Sequence, residues 1–275
     1  MSLSLTQALR DEYVRLFETC RVRPERNRSI AQAVDRLVEN RERYRDVAAR
    51  QGVPWAFVGL VHQMEAGGDF GCHLHNGDPL LARTVHVPAG RPRRGSPPFT
   101  WEESAVDALA MKRLNRHTDW SLPGLLYQFE KYNGWGYRRF HPGVLSPYLW
   151  SFSEHYDRGK YVADGRWSDT AVSRQAGAAV ILRRMAETGV VAFDEGPVPR
   201  EGAAPLVPRY AMRRSSKAET LAGVEALQQW LNSFPSLFVK VDGVAGPRTS
   251  MAFRFATGHY LPGDPRSDDP RSEAN

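Results

Sequence analysis

The densest chemistry in this chain lies in the stretch WAFVGLVHQMEAGGDFGCHLHNGDPL, positions 55–80. An almost wholly apolar run reaches a carboxylate at Glu65, then breaks into Gly67, Gly68, Asp69, His73, His75 and Asp78. A carboxyl set against apolar groups keeps its proton to higher pH, because its charged form is poorly solvated there. Such an acid can protonate the leaving oxygen of a glycosidic bond, with a second carboxylate across the substrate to activate water or stabilise the sugar cation. Asp69 and Asp78 are the candidates for that second role. The glycine pair breaks helical register between Glu65 and Asp69, whereas Asp78 follows the Asn76-Gly77 turn and would face back across a groove, so Asp78 is favoured. Thr84 could orient a water. Asp78 equally suits a local role, as a turn residue bonding its own backbone.

The same segment offers a rival chemistry. His73 and His75 alternate, so on a strand both would point to one face, with Cys72, His62, His86, Asp69 and Asp78 near in sequence. That set suggests a zinc-dependent peptidase. Yet HQME lacks the second histidine of the metalloprotease helix. The expectation is therefore no metal and no cofactor, with the histidines as hydrogen-bonding groups.

Apolar residues recur every three or four positions from Leu5 to about Cys20 and from Ser29 to about Gln51, which predicts two amphipathic helices. Pro54 suits the first turn of a third, ending near Glu65 and apolar on nearly every side, as befits the middle of a domain. Asn76-Gly77 and the β-branched residues after it predict a small β-hairpin. Thr100 and Glu103 form a capping box opening a helix to about Leu114. Further helices are expected over 122–132 and 168–188. Between these two lies a loop rich in Tyr, Trp, Gly and Pro, whose aromatic faces suit ligand contact or a satellite core in equal measure. Tyr137, Tyr148 and Trp150 are its candidate binding residues, and His75, Asn76 and Arg83 would line the hairpin wall.

The chain has 275 residues, 25% charged and 41% hydrophobic, as expected of a folded protein of one or two domains. Its net charge of +6 favours polyanionic partners, but the arginines are scattered and form no tract resembling a nucleic-acid arm. Two cysteines are too few for a disulfide framework and leave the pairing of Cys20 with Cys72 open. The N-terminus lacks the basic start and apolar run of a signal peptide, and no run is long enough to span a bilayer.

Glu65 ending a buried helix, a following hairpin with an acid and a threonine, and Tyr132-Asn133-Gly134 at the end of a later helix together resemble the lysozyme-like superfamily. This superfamily includes lysozymes, lytic transglycosylases and related chitosanases. The likeness covers about Ser29 to Thr188. It implies that Glu65 is the general acid and that Tyr132 and Asn133 line the glycan cleft. Ala66 stands where transglycosylases usually carry Ser, and their Gly-Leu-Met-Gln motif is absent. Hydrolysis is favoured because candidate second acids exist, with cleavage to an anhydro sugar as the close competitor.

Near the C-terminus, VEALQQWLN followed by VDGVAGPRTSMAF is similar to the small helical peptidoglycan-binding module. The matching residues are Leu227, Gln228, Asp242, Gly243, Gly246, Pro247 and Thr249. The expected organisation is mainly α: a lysozyme-like domain over 1–196 with a small β-hairpin, a linker over 197–210, a three-helix-type binding module over 211–262 and a disordered tail over 263–275. The expected activity is that of a monomeric peptidoglycan muramidase, acting on this or a related aminosugar polymer without nucleic acid or membrane insertion. It would be made in the cytoplasm and reach the wall by phage-type release or a dedicated exporter.

Overall fold

A computed structural model describes residues 3–163, 165–193, 207–234 and 237–267. The chain is mainly helical with one small two-stranded sheet, and divides into two compact units, Met1–Arg184 and Met185–Asn275. That division precedes the expected boundary at 196, because Met185 and Ala186 at the end of a helix already accept hydrogen bonds from Val190 and Arg248. Residues 194–206, most of the expected linker, and 268–275 lie outside the described residues.

The first unit contains helices α1 (Gln7–Glu18), α2 (Asn27–Glu39), α3 (Arg41–Gln51), α4 (Trp55–Ala66), α5 (Trp101–Met111), α6 (Leu122–Asn133), the short α7 (Gly136–Phe140) and α8 (Pro147–Trp150), strands β1 (Lys160–Ala163) and β2 (Arg166–Ser168), and all but the last turn of α9 (Ala178–Glu187). Helix α4 is central, as its all-round apolar sequence predicts: Ala56 through His62 and Met64 are buried. It lies close enough to its neighbours that a Cβ on Gly59 would sit 3.0 Å from Leu37 and 3.2 Å from Tyr44. Phe57 stacks on Phe129 of α6 with ring centroids 4.9 Å apart, so the helix bearing Glu65 and the helix bearing Tyr132 share one core. The capping box is present, with Thr100 Oγ1 accepting from Glu103 N–H while the Glu103 carboxylate accepts from Thr100 N–H.

Three local expectations are corrected. The single helix expected from Ser29 to Gln51 is two, because the Asn40 side chain donates to the Arg36 carbonyl and competes with the backbone ladder there. The hairpin expected after Asn76-Gly77 is absent: the turn forms, with Gly77 at φ +80°, but only an isolated bridge between Cys72 and Pro79 follows. Prolines 79, 88 and 92 remove ladder donors, and side-chain oxygens of Asp78 and Thr84 take the N–H groups of Val85, His86 and Arg91 instead. The sheet lies elsewhere, in the aromatic loop, where Lys160 pairs with Ser168 and Tyr161 with Trp167. The helix expected from residue 168 starts only at Ala178, since Gly177 lies tightly against the Leu149–Trp150 backbone and donates to the Ser151 carbonyl.

The second unit has α10 (Ala218–Leu231) and α11 (Pro247–Thr257), two helices among the described residues rather than three. Leu227, Leu231, Phe234, Phe253 and Leu261 form its core. The motif expected here is assembled around Gln228, which is fully buried. Its Oε1 accepts from Asp242 N–H and Gly243 N–H, while its Nε2 faces Asp242 Oδ1, the Val244 carbonyl and Thr249 Oγ1. Gly243 has φ +71° with Leu221 against its Cα, so a side chain there meets both strain and a clash. The folded unit extends past 262: Asp264 is buried and pairs with Arg266 at 2.6 Å, which corrects the expected start of the tail. Replacing Gln228 by Leu strands two backbone donors in the core and should cost about 2–4 kcal/mol. Amide exchange of α10 and α11 in the full chain measures this; unchanged protection would show that Gln228 does not hold the unit together.

Candidate active site

Glu65 stands on the last turn of α4, which ends at Gly67 in the left-handed conformation with φ +62°. Two carbonyls of that turn, from Gln63 and Met64, accept hydrogen bonds from the Gln175 amide at 3.0 and 2.9 Å. This fixes the helix end from outside its own ladder. The Glu65 side chain is half-buried, and its Oε1 accepts from Tyr148 Oη at 2.8 Å. Burial pushes its carboxyl above the usual carboxylate range; the Tyr148 hydrogen bond and the Lys112 charge pull the other way without overcoming it. No arginine pairs with Glu65 among the described residues.

Tyr148 also lines a groove of about 540 Å³, together with Met64, Asn133, Tyr137 and, from β1, Lys160 and Tyr161. Tyr137 packs edge-to-face on Tyr161 and Trp167, so α7 and the β1–β2 ribbon are joined through aromatic rings. Asn133 approaches Ser146 Oγ at 3.4 Å. Tyr132 stands behind this wall: its Oη points to the Leu74 carbonyl at 3.5 Å, and Lys112 Nζ lies 4.6 Å from its ring centroid. The Tyr132-Asn133 pair thus contributes Asn133 to the groove and Tyr132 to its support.

Other predicted residues take different places. The Asp78 carboxylate is enclosed, accepting from Asn76 Nδ2, Val85 N–H, His86 N–H and the His86 ring. Burial opposes its charge, but these hydrogen bonds prevail and hold the carboxyl well below the usual range. Asp78 therefore plays the turn role, not that of a second carboxylate facing the groove. Asp69 is exposed, and its oxygens are engaged by Gly71 N–H and Cys72 Sγ. Thr84 is buried, donating to the Pro88 carbonyl and accepting from Arg91 N–H, which occupies the hydroxyl expected to orient water.

The hairpin wall is likewise turned upon its own loop. Asn76 spans Asp78 and the His86 carbonyl, and Arg83 donates to the Gly95 carbonyl above the Phe99 ring. His75 is buried between Asp107 Oδ2 at 2.8 Å and Ser104 Oγ at 3.3 Å. Trp150, only 1% exposed, belongs to the core, with its ring against His155. Neither can reach a substrate.

The histidines expected as an alternative zinc set are also committed. His73 uses its ring nitrogens on Ser104 Oγ and the Ala82 carbonyl, each at 2.8 Å. His62 bridges the Tyr44 hydroxyl and the Asp69 carbonyl, and burial lowers its pKa to about 4. Among the described residues no three His, Cys, Asp or Glu side chains come together to hold a metal ion. Cys20 and Cys72 form no disulfide with each other.

Residues overlooked in the sequence complete the site. Gln175 and Lys112 carried no local signal, since their roles depend on elements brought together from far apart. Tyr148, expected as a glycan contact, lines the groove and also donates its hydroxyl to Glu65. No protein-family model matches this chain, and no curated protein or solved structure matches it either.

Two outcomes follow from these contacts. Asp78→Ala should free the 79–95 loop, detected as faster tryptic cleavage after Arg93 and Arg94; unaltered cleavage would mean that the loop does not depend on this carboxylate. Tyr148→Phe removes a hydrogen bond that favours the charged form of Glu65 and should raise its pKa further. If Glu65 must be protonated to act, the alkaline limb of kcat against pH moves upward in this variant; a downward shift would contradict the assignment.

Proposed function

We propose that this chain cleaves glycosidic bonds in peptidoglycan or a related aminosugar polymer, with Glu65 as the general acid. The observation that carries this reading is the carboxyl at the end of α4: half-buried, raised in pKa, free of an arginine partner and hydrogen-bonded to a residue lining the groove. An acid whose pKa is raised keeps its proton to higher pH than an ordinary carboxyl and can deliver it to a leaving oxygen. Asn133, Tyr137, Tyr148 and Tyr161 supply hydrogen-bonding groups and ring faces along the groove, the usual means of holding sugars. This fits the lysozyme-like resemblance of the sequence, with the second unit as a wall-binding module that raises the local concentration of substrate. The positive net charge suits an acidic wall polymer.

One observation favours a second fate for the sugar cation. Among the described residues lining the groove there is no Asp or Glu, and Asp78 and Asp69 are engaged elsewhere. Hydrolysis with a facing carboxylate base would require one of them to leave its partners. Attack by the substrate's own hydroxyl, giving an anhydro end, needs only Glu65 to donate and then accept a proton.

Glu65→Gln should lower turnover of purified peptidoglycan by about 10²–10⁴-fold, while wall binding in a sedimentation assay persists. Mass spectrometry of wild-type products distinguishes the two fates by reducing or anhydro ends. Intact glycan strands with cut peptides would refute both and revive the peptidase reading.

A further inference from the structure

The groove beside Glu65 is unevenly charged. Its described lining has neutral polar groups from Asn133, Tyr137, Tyr148, Tyr161, Ser173 and Gln175, lacks any carboxylate, and includes one cation, Lys160. Lys160 opens β1 opposite Ser168 and is half-buried. Of the described acids near it in sequence, Asp157 lies 4.0 Å from both Arg23 and Arg158, and Asp169 accepts from Trp167 Nε1 at 2.7 Å. An ammonium at the edge of an aromatic groove, without a carboxylate on the same lining, offsets the desolvation of an incoming anion and penalises an incoming cation.

We propose that Lys160 is a specificity-determining residue that pairs with a carboxylate carried by the glycan strand. The groove then selects acidic strands over neutral ones and discriminates most against N-deacetylated, cationic ones. The inference rests on the glycan-cleaving reading above and narrows the substrate class that reading leaves open. The carboxylate has two sources of the same chemistry, an acidic ether substituent on the sugar or the peptide attached to it.

The test compares kcat/KM of the full chain on three preparations of one strand: peptide-bearing, peptide-stripped with the sugar carboxylate free, and stripped then carboxyl-reduced to the alcohol. Wild-type protein should prefer a carboxylated strand to the reduced one by about tenfold, the size of one charge-assisted hydrogen bond. Lys160→Gln should bring that ratio close to one, and Lys160→Arg should retain it. Because the readout is a ratio within one variant, partial misfolding cancels. Preference for the peptide-bearing strand alone places the carboxylate on the peptide; preference for the stripped strand places it on the sugar, and either supports the pairing. Equal rates on all three strands, or a ratio that survives in Lys160→Gln, overturn the role of Lys160 while leaving Glu65 untouched. No cleavage of any strand by wild-type protein overturns the glycan-cleaving reading and this inference with it.

Discussion

The hydrogen bond from Tyr148 to Glu65 is the contact on which the candidate site depends. It joins a four-residue helix that contributes to the groove to the end of a largely buried helix, through the Glu65 carboxyl. Its chemistry matters as much as its position. A phenol donates to the carboxylate without supplying a formal charge, so burial still decides the protonation of Glu65. An arginine in the same place would have held the group ionised. The geometry is kept from drifting by backbone contacts: the left-handed glycine at 67 and the Gln175 amide on the preceding carbonyls.

A raised carboxyl pKa is not by itself a mark of function, and Glu130 demonstrates this within the same unit. Glu130 is only 3% exposed and burial pushes its carboxyl up, as for Glu65. It is enclosed by the Tyr13 hydroxyl and by Arg138, which also reaches Glu12 at 3.0 Å. That network ties α1 to α6 and α7. Glu130 therefore positions the helix that presents Asn133, whereas Glu65 is half-buried and held by Tyr148, which lines the groove. The partners around each carboxyl separate the two roles, and sequence alone does not carry that property.

The helical frame and the placement of Glu65 were legible because they follow from patterns local to one segment. Apolar periodicity, the Thr100 capping box and the Asp-Gly and Gly-Pro turns of the second unit involve residues a few positions apart, and each is found as expected. The loop after α4 misled for a physical reason. Its β-branched residues and Asn-Gly turn argue for strands, but its prolines withhold donors and its polar side chains bond the backbone more effectively than a second strand would. Asp78 and Thr84 looked catalytic because their residue types suit catalysis; they are polar because a tight loop needs acceptors for its own N–H groups. Trp150 illustrates the same limit, since an aromatic in a Gly- and Pro-rich loop can face a ligand or the core, and it faces the core.

Committing Asp78 to the loop has a consequence for the proposed chemistry. A sugar cation forming in the groove would meet no carboxylate among the described lining residues, so in the proposed chemistry the counter-charge would come from Glu65 itself after it gives up its proton. Proton transfer places a negative charge where positive charge is growing, and the Tyr148 hydrogen bond strengthens at that moment because it favours the ionised form. The same oxygen is then placed to take the proton from whichever hydroxyl attacks, water or the substrate's own. Glu65 would thus act as acid in the first half and base in the second, with Tyr148 steadying its charged state between them. A site with a dedicated second carboxylate fixes the nucleophile by geometry. In the proposed chemistry the outcome would be set by which hydroxyl the groove admits beside Glu65, and control of product would then lie in the groove walls around Asn133, Tyr161 and Lys160 rather than in a further acid.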